Sequence, residues 1–175
     1  MKSILIFILF ILSTSAHSIA QSKETGTDRD AIKQYMNNKD SMPDLRQAKN
    51  MELVKKVLKR YNNAVEALDV TGTERFFTAE SDIYENGSSE GNYFHYLEHH
   101  LVPELKEFKS FAFSDYKVEI QIDGSYAFAA ETYNYVVVFV KDNTEIKYKG
   151  VTTSILRKAK GEWKISVSHN SSRKQ

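Results

Sequence analysis

Hydrophobic positions follow two different periods along the chain. In residues 50–68 the apolar residues recur at helical spacing, which predicts an amphipathic helix with Asn50 as its cap. A second, short helix is predicted from Thr73. A third is predicted over residues 92–108, capped by Asn92, with a kink or a restart at the internal Pro103. The first half of the domain is therefore predicted to be mainly helical.

Beyond the third helix the period changes to two, which is typical of half-buried strands. Residues 83–85 already predict one short strand, which Asn86-Gly87 ends. Four longer strands separated by turn residues are then predicted over residues 116–123, 126–140, 145–157 and 162–171. Consecutive strands joined by tight turns favour an antiparallel meander. The order of elements predicts an α+β domain, with three N-terminal helices packed on one face of a curved, mainly antiparallel sheet.

The N-terminal residues 1–20 have the pattern of a secretory signal peptide. Lys2 precedes an apolar run over residues 4–12, and small residues lead to a predicted cleavage site after Ala20, with cleavage after Ala16 as the alternative. The run is short compared with the ~20 residues that a membrane span needs. We expect an exported protein, periplasmic or secreted, with no membrane span after cleavage.

Residues 21–47 are polar and predict a linker or loosely attached arm, so the domain is expected over residues 48–172. The chain has 24 basic and 23 acidic side chains and a net charge of +1, which gives no basis for nucleic-acid binding. It has no cysteine, and this excludes disulfides, thiol catalysis, cysteine-ligated metals and a bacterial lipoprotein anchor.

His169 is the first candidate for a catalytic or ligand-contacting residue. By simple alternation it shares one face of the last strand with Trp163, Ile165 and Val167, so we expect it to point into the sheet's concave side. A histidine in an apolar cavity can act as acid or base near neutral pH.

The third helix carries further candidates. At ~100° per residue, His100 and Glu104 lie on one flank with Tyr93 between them. His95 and His99 share another face at a spacing that helical metal ligands also use.

The central strand offers two alternative polar sets. Glu131, Tyr133 and Tyr135 share one face, and Thr132 and Asn134 share the other. Alternation alone does not decide which set faces the pocket.

Three local patterns resemble the nuclear transport factor 2-like, or SnoaL-like, superfamily. They are Ala67-Leu68-Asp69 followed by Phe76-Phe77, Glu85-Asn86-Gly87 with Glu90-Gly91, and Gly150, Thr153 and Leu156 followed by Trp163-Lys164-Ile165, His169 and Ser171. The resemblance implies a cone-shaped α+β barrel, a pocket between the helices and the concave sheet, and a homodimer formed through the sheet. The ligand-contacting candidates are then His169, Trp163, Tyr133, Tyr135, Glu85, Tyr93 and His100.

Three functions compete for this arrangement. The first is an exported small-molecule-binding or association domain that uses no cofactor. The alternative is a cofactor-free dehydratase, isomerase or cyclase, with His169 as base and His100 or a tyrosine as its partner. The third is metal binding by His95 and His99 with a recruited Glu85 or His169; apart from this hypothesis we expect no metal.

Overall fold

The computed structural model describes residues 45–175. In chain order, these residues begin with helix α1 (Leu45–Glu66), a 3₁₀ turn (Thr73–Phe76) and strands β1 (Phe77–Glu85) and β2 (Ser88–Gly91). A broken helical segment follows, made of helix α2 (Tyr93–Tyr96), a π-helical turn (Leu97–Leu101) and helix α3 (Val102–Leu105). Four long strands complete the fold: β3 (Phe108–Asp123), β4 (Tyr126–Phe139), β5 (Glu145–Ala159) and β6 (Glu162–Lys174). The predicted signal peptide and nearly all of the predicted arm lie outside the described residues. No helix within residues 45–175 is both long and apolar enough to cross a membrane.

The strands form one six-stranded sheet in the order β2-β1-β6-β5-β4-β3. Only β1 and β6 pair in parallel, and the other neighbours are antiparallel. The connection between β1 and β2 is a tight turn in which Asn86 and Gly87 both have positive φ, 48° and 92°. The four predicted long strands are confirmed, and the mainly antiparallel α+β architecture with them.

One apolar core joins α1 to the sheet. Val54 and Leu58 of α1 are 0% and 2% exposed, and they belong to the same buried cluster as Leu156 and Ile165. Burying side chains of this size contributes about 1.5–3 kcal/mol each relative to leaving them in water. Packing of the amphipathic stripe therefore holds α1 against the sheet.

Only the first predicted helix forms as one long helix, and the second and third predicted helices are reduced to short turns and segments. Helix α1 begins at Leu45, so Asn50 lies inside it rather than at its cap. There Asn50 accepts hydrogen bonds from Lys158 Nζ at 2.8 Å and from Trp163 Nε1 at 3.4 Å. The predicted second helix is a single 3₁₀ turn.

The predicted third helix is interrupted before its proline. Asn92 caps α2 as predicted, with its side chain accepting the His95 N–H at 2.9 Å. The next turn is π-helical, and the Val102 N–H bonds to the Leu97 carbonyl. Pro103 has no N–H to donate to the preceding turn, which fits an interruption of the α-helical bonding between α2 and α3.

A β-bulge in β6 changes which side chains face the helices. Leu156 pairs with Ile165 but Ile155 pairs with Val167, which leaves Ser166 as the extra residue. After a bulge the alternation of faces is inverted. The prediction that His169 shares a face with Trp163 and Ile165 is therefore wrong.

Candidate functional site

The concave face of the sheet changes from apolar to polar along its strands. At one end, which we call the apolar end, lie Val54, Leu58, Ala127, Leu156, Trp163 and Ile165. At the other, which we call the polar end, the inward side chains are Tyr133, Tyr135, Thr152, Asn170 and Ser172. This gradient places hydrogen-bonding groups at one end of a hydrophobic core.

A hydrogen-bond chain crosses the polar end. The Tyr133 hydroxyl lies 2.8 Å from Thr152 Oγ1, which donates to Asn170 Oδ1 at 2.9 Å. The Tyr135 hydroxyl donates to Ser172 Oγ at 3.0 Å. Three adjacent strands, β4, β5 and β6, therefore contribute to one polar surface.

Gly150 makes room for Tyr133. The Tyr133 ring lies so close to Gly150 that a Cβ there would overlap ring atoms. The ring can therefore lie flat across the sheet only because residue 150 has no side chain. The hydroxyl then reaches Thr152.

Glu131 is a buried carboxyl between the apolar and polar ends, and only 3% of the residue is exposed. Its Oε2 accepts hydrogen bonds from Tyr116 at 2.6 Å and Asn62 at 3.0 Å. Burial raises the pKa of Glu131, and these two hydrogen bonds lower it only in part. The structure thus decides the face that alternation left open: Glu131, Tyr133 and Tyr135 point inward, and Thr132 is exposed.

Three carboxylates surround one imidazole where β1 and β2 meet the broken helix. His100 Nε2 lies 3.4 Å from Glu85 Oε2 and 3.9 Å from Glu104 Oε2, and His100 Nδ1 lies 3.4 Å from Glu90 Oε2. We call these four residues the Glu–His cluster. Tyr96 donates to Glu85 Oε2 at 2.9 Å and stacks on the His100 ring.

The Glu–His cluster adjoins the polar end. Glu85 pairs with Asn170 across β1 and β6. Burial raises the pKa of Tyr133, and the charge of Glu85 adds to that shift. Burial likewise raises the pKa of Tyr135 to about 12, with a smaller contribution from Glu104.

The Glu–His cluster is open to solvent. The His100 side chain is 39% exposed, Glu85 20% and Glu104 46%. Desolvation nevertheless raises the pKa of Glu104, and the neighbouring Glu85 carboxylate raises it further. Such a cluster can exchange protons with a ligand, bind a cation, or do both.

His169 does not join this site. It lies on the outer face, its ring meets Tyr84 edge-on, and it borders a shallow groove with Phe128 and Val167. His100 and His169 are therefore on opposite sides of the sheet, and their predicted pairing as acid and base is not formed.

Two other candidates are core residues. Trp163 lies at the apolar end, 4% exposed. Tyr93 is 1% exposed, stacks on Phe77, and has its hydroxyl 2.7 Å from Thr73 Oγ1. It does not lie between His100 and Glu104 as predicted.

Sequence reasoning missed Tyr96, Glu90, Thr152 and Asn170. Tyr96 lies four residues before His100, a spacing that predicts side-chain contact on a helix and could have identified it. Glu90 comes from β2, a strand that was not predicted. Asn170 faces inward only because of the bulge at Ser166.

His95 and His99 do share a face, with ring centroids 4.5 Å apart. His95 Nδ1 lies 3.1 Å from the Glu90 carbonyl oxygen, and His99 Nε2 lies 3.8 Å from Glu98. Neither Glu85 nor His169 is paired with these two histidines among the ion pairs of residues 45–175. Their predicted metal binding stays a prediction.

Comparison with known proteins gives a family and a fold. A family model described as the SnoaL-like domain matches residues 54–173. A search of curated protein sequences found no significant match.

Several solved structures share the fold. A nuclear transport factor 2-like superfamily protein from Salmonella enterica serovar Typhimurium is 17% identical, with a TM-score of 0.61 over 67% of this chain and 86% of that one. A protein from Streptomyces avermitilis, provisionally named a dehydratase of the nuclear transport factor 2-like family, is 14% identical, with a TM-score of 0.63 over 71% and 97%. The hexachlorocyclohexane dehydrochlorinase LinA-type3 from Novosphingobium barchaimii is 12% identical, with a TM-score of 0.60 over 75% and 90%. At these identities the likeness concerns the fold alone.

Proposed function

The chain belongs to the SnoaL-like domain family, and we propose that it is an exported protein that binds a small organic molecule at the polar end of its concave face. The observation that carries this proposal is the change along β4, β5 and β6 from apolar side chains to hydroxyl and amide groups. A face that served only packing would continue apolar, since buried polar groups need hydrogen-bond partners. Families with this fold include both ligand-binding proteins and enzymes.

The chemistry of the polar end defines the class of ligand. Tyr133 and Tyr135 offer aromatic rings and hydroxyls, and Thr152 and Asn170 offer further hydrogen-bonding groups. The adjacent Glu–His cluster has more acidic than basic groups, so it disfavours anions. We expect a neutral or cationic molecule with an aromatic or alicyclic ring and one or more hydroxyl or carbonyl groups.

Backbone NMR with ring-containing probes tests binding. We would titrate p-cresol and cyclohexanone into EDTA-treated protein and follow the amide resonances. Shifts confined to Tyr133, Tyr135 and Thr152 support binding at the concave face. Shifts only at outer-face residues such as Thr153 and Val167, or at no residue, contradict it. Tyr135→Phe is the matched variant, because it removes one hydroxyl and keeps the ring.

Export is supported by the pattern of residues 1–20, which is that of a signal peptide. N-terminal sequencing of protein recovered from outside the cytoplasm tests it. We expect Gln21 as the first residue. A chain that stays in the cytoplasm with residues 1–20 attached contradicts this part of the proposal.

A second candidate is an enzyme that removes or adds a proton next to a carbonyl group. It is favoured by His100, whose Nε2 lies 3.4 Å from Glu85 in a solvent-accessible position. Incorporation of solvent deuterium into simple cyclic ketones, followed by mass spectrometry, measures this activity. Loss of incorporation in His100→Gln but not in His99→Gln would support it, and no incorporation by the unmodified protein would contradict it.

The outer face of the sheet supports a homodimer. Phe128 is 47% exposed there and borders a groove with Ile155 and Val167, and Val151, 41% exposed, lies on the same face of β5. Two copies that paired these faces would remove apolar surface from water. Light scattering should give twice the chain mass, and Phe128→Glu should give the monomer; a monomeric unmodified protein contradicts the dimer.

A further inference from the structure

We propose that Glu85, His100 and Glu104 form a binding site for one divalent transition-metal ion, with Glu90 orienting the histidine. The three ligand atoms come from the end of β1, from the π-helical turn and from α3. The site includes His100 of the predicted third helix, but not His95 and His99, the pair that helical spacing suggested.

The distances between these donors suit a shared ion. One oxygen or nitrogen atom from each of the three residues lies within 4.8 Å of the other two. Donors bound to the same ion at about 2.0–2.2 Å lie about 3 to 4 Å apart, depending on the angle between them. The separations of 3.4 Å and 3.9 Å between His100 and the two carboxylates fall in this range.

The two nitrogens of His100 face different partners, and this is the second observation. Nδ1 faces Glu90, whereas Nε2 faces Glu85 and Glu104. Nδ1 lies 3.4 Å from Glu90 Oε2, and a carboxylate beside one ring nitrogen favours the proton on that nitrogen and leaves the other as a lone-pair donor, as in many metal-binding histidines. Tyr96 donates to Glu85 and stacks on the ring, so it holds both ligands in place.

Charge favours a cation at this position. Three carboxylates meet one imidazole, and no lysine or arginine nitrogen lies within 4 Å of them among the ion pairs of residues 45–175. A divalent ion would offset the repulsion between Glu85 and Glu104. The partial exposure of His100 and Glu104 gives the ion a path from solvent, and gives water access to the remaining coordination positions.

The donor set selects the class of ion. Carboxylates suit Mg²⁺, Ca²⁺ and Mn²⁺, and imidazole suits Zn²⁺ and other first-row transition metals. One imidazole with two carboxylates therefore favours Zn²⁺ or Mn²⁺ over Mg²⁺.

Isothermal titration calorimetry on untagged protein stripped with EDTA tests the site, with ZnCl₂ and MnCl₂ as probes and MgCl₂ for comparison. We expect one ion per chain, with a weaker response to Mg²⁺. His100→Gln and Glu104→Gln should each raise Kd by about a hundredfold or more. Glu90→Gln, which leaves all three ligands in place, should raise it about tenfold, within the range seen when an orienting partner is removed.

The adjacent residues provide matched controls. His99→Gln and Glu98→Gln alter side chains that are 60% and 63% exposed on the same turn, and they should leave Kd unchanged. Circular dichroism confirms that each variant is folded. If no stoichiometric ion binds, the proposal fails. It also fails if His99→Gln abolishes binding as strongly as His100→Gln does.

The metal site does not depend on the proposed binding of an organic molecule. The NMR titration uses EDTA-treated protein, so either result can be negative without deciding the other. If the ion binds, His100 Nε2 is a ligand and is not free to act as the general base of the second candidate function.

Discussion

The apolar and polar ends of the concave face lie on the same strands, but their side chains point inward for different reasons. At the apolar end, Leu156 and Ile165 are 0% and 1% exposed and follow the alternation of their strands. At the polar end, Tyr133 depends on the absence of a side chain at Gly150, and Asn170 faces inward only because of a bulge. The apolar end is therefore a product of periodic pattern, and the polar end is a product of local exceptions to it.

The difference indicates where stability and function reside. Removing a side chain from the apolar end should reduce stability with little dependence on pH. Substitutions at the polar end or at the buried carboxyl of Glu131 should lower the free energy of unfolding by smaller amounts. The size of these losses should depend on pH or on a neighbouring side chain. Three experiments test this contrast.

The largest effect is expected for Leu156→Ala at the apolar end. Deleting a fully buried leucine leaves a cavity in the core and should lower the free energy of unfolding by about 2–5 kcal/mol. Lys149→Ala, at an exposed position on the outer face of the same strand, should change it by less than about 0.5 kcal/mol. Urea denaturation measures both, and similar losses for the two variants would contradict the assignment of faces in β5.

Gly150→Ala should have an intermediate effect. The new methyl group meets the Tyr133 ring, and such overpacking typically costs about 1–3 kcal/mol. In the Tyr133→Ala background the same substitution should cost much less, because the obstructing ring is gone. Equal costs in both backgrounds, measured by urea denaturation, would show that the ring does not determine the need for glycine.

The smallest effect is expected for Glu131, and it depends on pH. The pKa of Glu131 is higher in the folded than in the unfolded protein, so folding favours its protonated form. Its contribution to stability is complete below the unfolded pKa and is lost as pH rises through the folded pKa, at about 1.4 kcal/mol for each unit of difference.

Glu131→Gln, which is uncharged at every pH, should remove this dependence. Unfolding free energies of the two proteins should diverge as pH rises above the ordinary glutamate pKa of about 4.5, and the difference should become constant above the raised pKa of folded Glu131. Glu98→Gln, which alters an exposed side chain, is the control, and its curve of unfolding free energy against pH should be parallel to that of the unmodified protein. Parallel curves for Glu131→Gln would contradict a raised pKa at this position.

Much of the fold was predictable because long elements repeat a signal many times. The stripe in α1 and the alternation in the four long strands each extend over eight or more residues, so neither depends on a single position. The fold family followed from that order of elements. The bulge at Ser166, the π-helical turn and the strand β2 are decided within a few residues, where the period carries almost no information.

These short features account for the errors at the site. The bulge moved His169 to the outer face, and the π-helical turn that carries His100 interrupts the helix after the turn that carries Tyr93. The strand β2 brought Glu90 to a histidine ten residues further along. At the site these local departures changed the direction or the neighbours of a side chain, while the order of the long elements was as predicted.

The hydrophobic pattern was enough to predict the α+β architecture and most buried apolar residues, because periodicity is a local property summed over long segments, and short motifs carried the resemblance to the superfamily. The meeting of Glu85, Glu90, His100 and Glu104 could be seen only in the folded protein. Their convergence depends on the register of β1 against β6, the turn at Asn86-Gly87 and the broken helix, all of which must be in place together. Polar contacts between distant segments leave no periodic pattern in the sequence, so they cannot be predicted from that pattern.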